Sequence, residues 1–279
     1  MKHKDQRSGL CVCLGDEGMD ATTLDKAARL ANCAPKSNLL LFLTPTMPEF
    51  RVPNEVIRHF HLVRQLSSPL PMPPSTCLCG ASLHPDCSHL LFCPKFSRTA
   101  FTLRHNIILQ VFLFVAALLG IPYEKEPRRQ RNRSSTIVVD DTQSSNSPEN
   151  LVPDGIIYFI TGKPLAFDVT VSCALAPSHL RDSSKRSGAT ARKQALAKIN
   201  KYKEYAVLYN CDFLPAAFES HGAFDRDISN IIYPFAEEAA RQGRSTVNDF
   251  KTYMKNLLAV ALAKGNYAAL LHATYLIKR

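Results

Sequence analysis

Leu151–Cys173 reads LVPDGIIYFITGKPLAFDVTVSC, two apolar runs, Leu151–Ile160 and Pro164–Cys173, joined by Thr161-Gly162-Lys163. β-Branched and aromatic enrichment on both sides of a glycine-bearing connection predicts a β-hairpin. Each run carries one carboxylate. Asp154 follows Pro153 early in the first, and Asp168 comes fourteen positions later, between Phe167 and Val169. An ionised carboxylate in so apolar a strand is destabilising unless it is paired, hydrogen-bonded or bound to a cation. A tight turn brings Asp154 and Asp168 close together. Two such oxygens suit Mg²⁺, which takes one or two carboxylates and leaves its other positions to water and substrate phosphate. Taken singly, Asp154 also fits a turn, where Pro-Asp pairs are common.

Downstream of the hairpin, a basic helix is expected over about 187–209, containing KINKYKEY at Lys198–Tyr205. Leu196, Ile199, Tyr202 and Ala206 fall on one helical stripe, read as the face packed on the sheet. Lys198 lies about 100° from the centre of that stripe and can bend back toward the hairpin, whereas Lys201 points further out. A lysine so placed can stabilise charge on a scissile phosphate; a solvated cation is the simpler reading, above all for Lys201. DFLPAAFES, Asp212–Ser220, reads as a short strand, with Pro215 marking an edge or a bulge. Helices near 228–241, 245–263 and 266–276 complete the chain. These elements predict an α/β protein.

Upstream, PSTCLCGASLHPDCSHLLFC, Pro74–Cys93, puts Cys77, Cys79, His89 and Cys93 within 17 residues. Thiolates and an imidazole at this spacing let a turn and a helix close on one tetrahedral ion, Zn²⁺ in the first instance, with His84 and Cys87 as alternates. Gly80, directly after the second thiolate, fits a backbone that bends tightly around the metal. Four protein ligands leave no open position, so the ion is read as structural rather than catalytic. Nine cysteines without a signal-like start argue for a reducing compartment, where close-spaced cysteines bind metal more often than they cross-link.

A helix from about 98 to 119 follows the cysteine cluster. Its apolar stretch Ile107–Ile121 is shorter than the roughly 20 residues a bilayer requires, so it reads as a core helix and no membrane partner is expected. The polar loop 128–150 is expected to be flexible. The net charge of +10 is concentrated at Arg128–Arg133 and Arg181–Lys203, a distribution that favours a polyanionic partner. Residues 1–75, closed by the proline-rich SSPLPMPPST, read as a linker-like region and not as a complete domain.

Taken in order, Cys77, Cys79, His89 and Cys93, then RHN at Arg104–Asn106, Pro153-Asp154, FDVTV around Asp168, KINKY, and FLPAAFESHG at Phe213–Gly222 resemble the restriction-like endonuclease of non-long-terminal-repeat retrotransposons. The resemblance covers about residues 77 to 225. The preceding 45 resemble, more faintly, the linker that follows a reverse transcriptase. It implies a PD-(D/E)xK fold, a central mixed sheet flanked by helices, and Mg²⁺-assisted hydrolysis of a DNA phosphodiester. It divides the chain into a reverse-transcriptase tail (1–75), a CCHC zinc knuckle (76–97), an endonuclease core (98–225) and C-terminal helices (226–279).

The resemblance further implies Asp154 and Asp168 as Mg²⁺ ligands, with Lys198 or Lys201 as the catalytic lysine. Thr170 stands where other PD-(D/E)xK enzymes place that lysine, so the resemblance implies that its role passes to the helix. Glu126 is expected as an additional acid. Arg104 and His105 are expected against DNA or packed on the knuckle, and Arg192 and Lys193 against nucleic acid. Tyr202 is expected to hydrogen-bond near the site or to pack in the core, and Glu219 to support the lysine or to be exposed. The implied activity is nicking of target DNA so that the freed 3′ hydroxyl primes reverse transcription, with element RNA as a second partner and action in the nucleus. The chain contains no YxDD-like polymerase box. The competing readings are a nucleic-acid-binding module and an inactive element remnant.

Overall fold

The computed structural model of the protein describes residues 25, 27–28, 47–58, 74–83, 87–127 and 150–279. Most of the linker-like region 1–75, the alternate ligand His84 and all of Arg128–Arg133 lie outside the described residues.

Four strands form one mixed sheet among the described residues, in the order β1 (Tyr123–Lys125), β2 (Gly155–Ile157), β3 (Leu165–Ser172) and β4 (Asp212–Glu219). The first three are antiparallel neighbours, and β4 runs parallel to β3. The hairpin expected over Leu151–Cys173 is the β2–β3 pair, in register Gly155↔Phe167. Parallel pairing of β3 and β4 requires a crossover, supplied by α2 (Leu180–Lys185) and α3 (Ala189–Leu208). β4 lies at the sheet edge, where Pro215 opposite Asp168 removes no ladder hydrogen bond that an outer neighbour would need. β1 was not anticipated: its three residues, YEK, are all exposed and give no apolar signal.

Alternation along β3 builds two unlike faces. Leu165, Phe167 and Val169 point into the main core with Ile157, Ala216 and Phe218. That face is covered by α1 (Ala100–Leu118), α4 (Ile228–Arg241) and α5 (Val247–Lys278). Phe112 of α1 meets Phe167 at a ring-centroid distance of 5.1 Å. α1 is 19 residues long with a mean hydropathy of 1.6, long and apolar enough to cross a bilayer; here Ile108, Leu109, Phe112 and Val115 are buried against the sheet and neighbouring helices.

The opposite face, with Ala166, Asp168 and Thr170, turns toward α3. The packed stripe of α3 matches the one expected from sequence only in part: Tyr202 is buried with Ala206 packed beside it, but the stripe is turned away from Leu196. Leu196 is 46% exposed, and the buried positions are Ala191, Ala195, Tyr202 and Tyr205. Ala191 and Ala195 pack on Ala217, and the tyrosines on Ile156, Ala166 and Cys211. Small side chains let the helix backbone approach the sheet closely, which selects the alanine face over the leucine. That rotation sets Lys198, between Ala195 and Tyr202 on the helix, over β3.

The two C-terminal helices expected over 245–263 and 266–276 are one 32-residue helix, α5. Gly265 does not terminate it. A Cβ at Gly265 would lie 3.1 Å from Arg104 Cγ and 3.3 Å from Arg104 Cα, so the glycine serves the close approach of α5 to α1.

Candidate active site and metal centre

Between the sheet and α3, five side chains converge. Asp154 immediately precedes β2, and its Oδ2 accepts the Val169 backbone N–H at 2.6 Å. The same oxygen lies 2.8 Å from His105 Nε2, on the second turn of α1. Asp168, mid-β3, is paired on both oxygens: Tyr202 donates its hydroxyl to Oδ1 at 2.9 Å, and Lys198 Nζ stands 2.6 Å from Oδ2. Tyr202 also lies 3.1 Å from the Val152 carbonyl and stacks on Phe213 at 4.4 Å. The apolar setting of Asp168 is resolved by direct pairing, as an ionised carboxylate at 7% side-chain exposure requires.

The electrostatics favour a cation. Burial, and then the charge of Asp154, push Asp168 above its ordinary value, against the pull of Lys198 and the Tyr202 hydroxyl. Burial acts to lower His105, but the hydrogen bond and charge of Asp154 prevail and raise it. Burial, then the Asp168 charge and hydrogen bond, push Tyr202 up, so it remains a hydroxyl donor. Asp168, whose proton affinity the neighbouring Asp154 charge raises, is relieved by a positive charge placed between the two carboxylates.

Lys201 lies elsewhere: it is exposed, with Nζ 5.2 Å from the Tyr202 ring centroid. Glu126 is also exposed; its backbone N–H donates to the Asp154 carbonyl at 3.0 Å, so what it touches at the site is backbone rather than carboxylate. Arg192 is held by Asp225 at 3.3 Å and Asp227 at 3.0 Å, and Lys193 is largely exposed, 4.0 Å from Asp182.

Two expectations are corrected. Arg104 is 2% exposed, which overturns the DNA contact and leaves the alternative, packing on the cysteine-rich segment. It donates to the carbonyls of Leu91 (3.5 Å) and Val171 (3.1 Å) and to Asn266 Oδ1 (3.3 Å), tying the cysteine-rich segment, β3 and α5 to one point on α1. Burial lowers its pKa to about 10, so it keeps its charge at neutral pH. Asn266, whose amide also donates to the Ser220 carbonyl, carried no sequence signal. Glu219 is neither exposed nor in contact with Lys198. It is fully buried and accepts the backbone N–H groups of Thr190 (2.8 Å), Gly188 (3.2 Å) and Ala191 (3.3 Å). α3 has no side-chain cap of its own, since Gly188 precedes it in a left-handed conformation, so a carboxylate from β4 satisfies its first donors.

The second centre is the cysteine cluster. One ligand atom each from Cys77, Cys79, His89 and Cys93 lie within 4.8 Å of one another, an arrangement that could hold a metal ion such as zinc. Cys77 and Cys93 sulfurs are 3.6 Å apart, close to the roughly 3.8 Å edge of a tetrahedron with Zn–S bonds of about 2.3 Å. Cys79 Sγ and His89 Nε2 are 3.0 Å apart. The turn is closed by Cys77 N–H to the Ala81 carbonyl and Gly80 N–H to the Cys77 carbonyl, with Gly80 at φ 87°. Burial pushes the Cys93 thiol up to about 12, so a bound cation is what would hold it as a thiolate. Cys87 is buried outside this group of four. Three soft donors and an imidazole fit zinc, and four of them complete its shell.

A scan against models of known protein families finds no match to this chain, and a search of curated proteins finds no significant match.

Proposed function

We propose that the chain is a divalent-cation-dependent DNA endonuclease with a PD-(D/E)xK-type core and a structural zinc knuckle, the nicking component of retrotransposon integration. The observation that carries the reading is the convergence of Asp154, Asp168 and Lys198 on one face of a mixed sheet. The resemblance named both carboxylates and left the lysine as Lys198 or Lys201. Two carboxylates with hard oxygen donors and an adjacent ammonium fit Mg²⁺ and a phosphate. Bound there, Mg²⁺ would supply Lewis-acid polarisation of the phosphate and lower the pKa of an attacking water.

Each side chain has a part. Asp154, just before β2, and Asp168, in β3, would hold the cation through their carboxylate oxygens. Lys198, whose partner is the carboxylate at the site, is placed to offset charge that builds on the phosphate as water attacks phosphorus and the 3′ oxygen departs. Tyr202 keeps Asp168 oriented, and the knuckle fixes the entry to α1. Zinc at Cys77, Cys79, His89 and Cys93 would be a folding element, packed on Ala269, Leu270 and Ala273 of α5.

The test is plasmid nicking with Mg²⁺ by purified protein, beside Asp168→Ala, Lys198→Met and a chelator control. Nicking should disappear with chelator and with Asp168→Ala, and fall by about 10²-fold or more with Lys198→Met. Salt-sensitive DNA binding with no cleavage under any divalent ion would replace this reading with a binding module.

A further inference from the structure

The tripeptide Arg104-His105-Asn106 is left without a role by the reading above, once burial removes Arg104 from any DNA surface. Its three side chains do different things. Arg104 is anchored by two backbone carbonyls and Asn266, and Gly265 of α5 lies directly against its backbone. The α1 backbone is therefore fixed at the position next to His105. From there the imidazole reaches Asp154, with Nε2 2.8 Å from Oδ2, while Asn106 Oδ1 stands 3.1 Å from Nδ1 and sets the ring plane.

The consequence lies at Asp154. A carboxylate oxygen offers about two acceptor positions. Oδ2 already receives Val169 N–H at 2.6 Å and faces His105 Nε2 at 2.8 Å, so its capacity is used. Oδ1 is left as the oxygen available to a cation. With a backbone donor on one side and an imidazole on the other, the carboxylate cannot rotate without breaking both contacts. Asp168 is fixed by Tyr202 at Oδ1 and by Lys198 at Oδ2, so a shared ion would take the one acceptor position that remains on an Asp168 oxygen, beside the ammonium.

We propose that Arg104, His105 and Asn106 form a positioning unit for the divalent cation: His105 locks Asp154 so that Oδ1 alone is presented to an ion shared with Asp168. This inference rests on the endonuclease reading and adds a residue to it. His105 is here a positioning residue and not a DNA contact, because the bond it makes is to the ligand and not toward solvent. Partners that orient ligating groups are worth roughly 10- to 100-fold in metal affinity when removed.

The experiment uses the full, zinc-loaded chain and Mn²⁺ as the probe, followed by electron paramagnetic resonance in the absence of DNA, with nicking measured in parallel. His105→Ala is expected to weaken Mn²⁺ binding by about 10- to 100-fold, to raise the Mn²⁺ concentration needed for half-maximal nicking by the same factor, and to recover most of the maximal rate at saturating Mn²⁺. His105→Gln, which retains a donor at comparable reach, should restore most of the affinity. Asn106→Ala, which leaves the imidazole in place but frees its ring, should fall between wild type and His105→Ala, and serves if His105→Ala fails to fold. DNA affinity without divalent ions should be unchanged in all three. Mn²⁺ affinity within twofold of wild type in His105→Ala, or in Asn106→Ala where only that variant folds, overturns the positioning role; reduced DNA affinity alongside it would return His105 to the DNA surface. A wild-type chain that binds no Mn²⁺ overturns the cation site itself, and with it both readings.

Discussion

Replacing Glu219 tests whether the site is built through the helix that carries Lys198. Glu219→Ala would orphan three donors at the start of α3, those of Gly188, Thr190 and Ala191. Thr190 and Ala191 are at most 1% exposed, so bulk solvent does not reach either donor in the native packing. Each orphaned buried donor is destabilising by about 1–3 kcal/mol, which gives about 4 kcal/mol for the two, with the partly exposed Gly188 N–H rehydrated. Glu219→Gln is a different perturbation. Burial raises the Glu219 pKa despite the three backbone N–H groups that lower it, so the native fold already disfavours the charge. Gln keeps an acceptor oxygen for the Thr190 and Ala191 N–H groups but turns its NH2 toward the partly exposed Gly188 N–H, so it should lose about 1–2 kcal/mol, clearly less than Glu219→Ala.

The same shift fixes a pH dependence. Because the folded value lies above the unfolded one, the native state binds this proton more tightly. The contribution is full below the ordinary value of 4.5 and is lost as pH rises through the raised folded value. Urea unfolding followed by circular dichroism measures all of this, provided the m-value is constant. The Gln variant should lack this part of the pH slope. Because Lys198 sits about two and a half turns along α3 from the cap, Glu219→Ala should also depress nicking more than Glu219→Gln. A Glu219→Ala variant within about 1 kcal/mol of wild type would show that α3 is held by its alanine face and that the buried carboxylate adds nothing.

Three other outcomes follow from the packing. In Gly155→Ala, the new Cβ would lie 2.6 Å from Phe167 Cε1, and Phe167 cannot retreat because it is fully buried against Phe112; a loss of about 1–3 kcal/mol is expected, eased in a Phe167→Leu background, by denaturant titration of the double-mutant cycle. Metal analysis should find one zinc per chain, and either a strong chelator or Cys93→Ser should lower the melting temperature and speed hydrogen exchange first around Ala269–Ala273, which packs on the knuckle. Tyr202→Phe should leave the fold intact, since the ring still stacks on Phe213, yet weaken Mn²⁺ binding by about tenfold because Asp168 Oδ1 loses its donor.

Elements with dense local signals were legible in the chain before it folds. The hairpin was legible because β-branched runs flank a glycine turn, the cysteine cluster because its four ligands lie close together in the chain, and Asp168 because a charge among Phe167 and Val169 needs a partner. Helix termini near 100, 118, 228 and 241 follow from periodicity and breakers. Tertiary structure alone decided which groups meet. The face of α3 turned to the sheet is set by how closely Ala191 and Ala195 approach Ala217, a contact between elements distant in sequence, and that rotation brings Lys198 rather than Lys201 to Asp168. Arg104 and Glu219 look like surface charges in one dimension; their burial follows from donors and acceptors on other elements, Val171 and Asn266 for the first, the start of α3 for the second. Gly265 reads as a helix stop until α1 is seen against it. Periodicity records which residues prefer burial, whereas the partner that satisfies a buried charge is fixed only when the chain has folded back on itself.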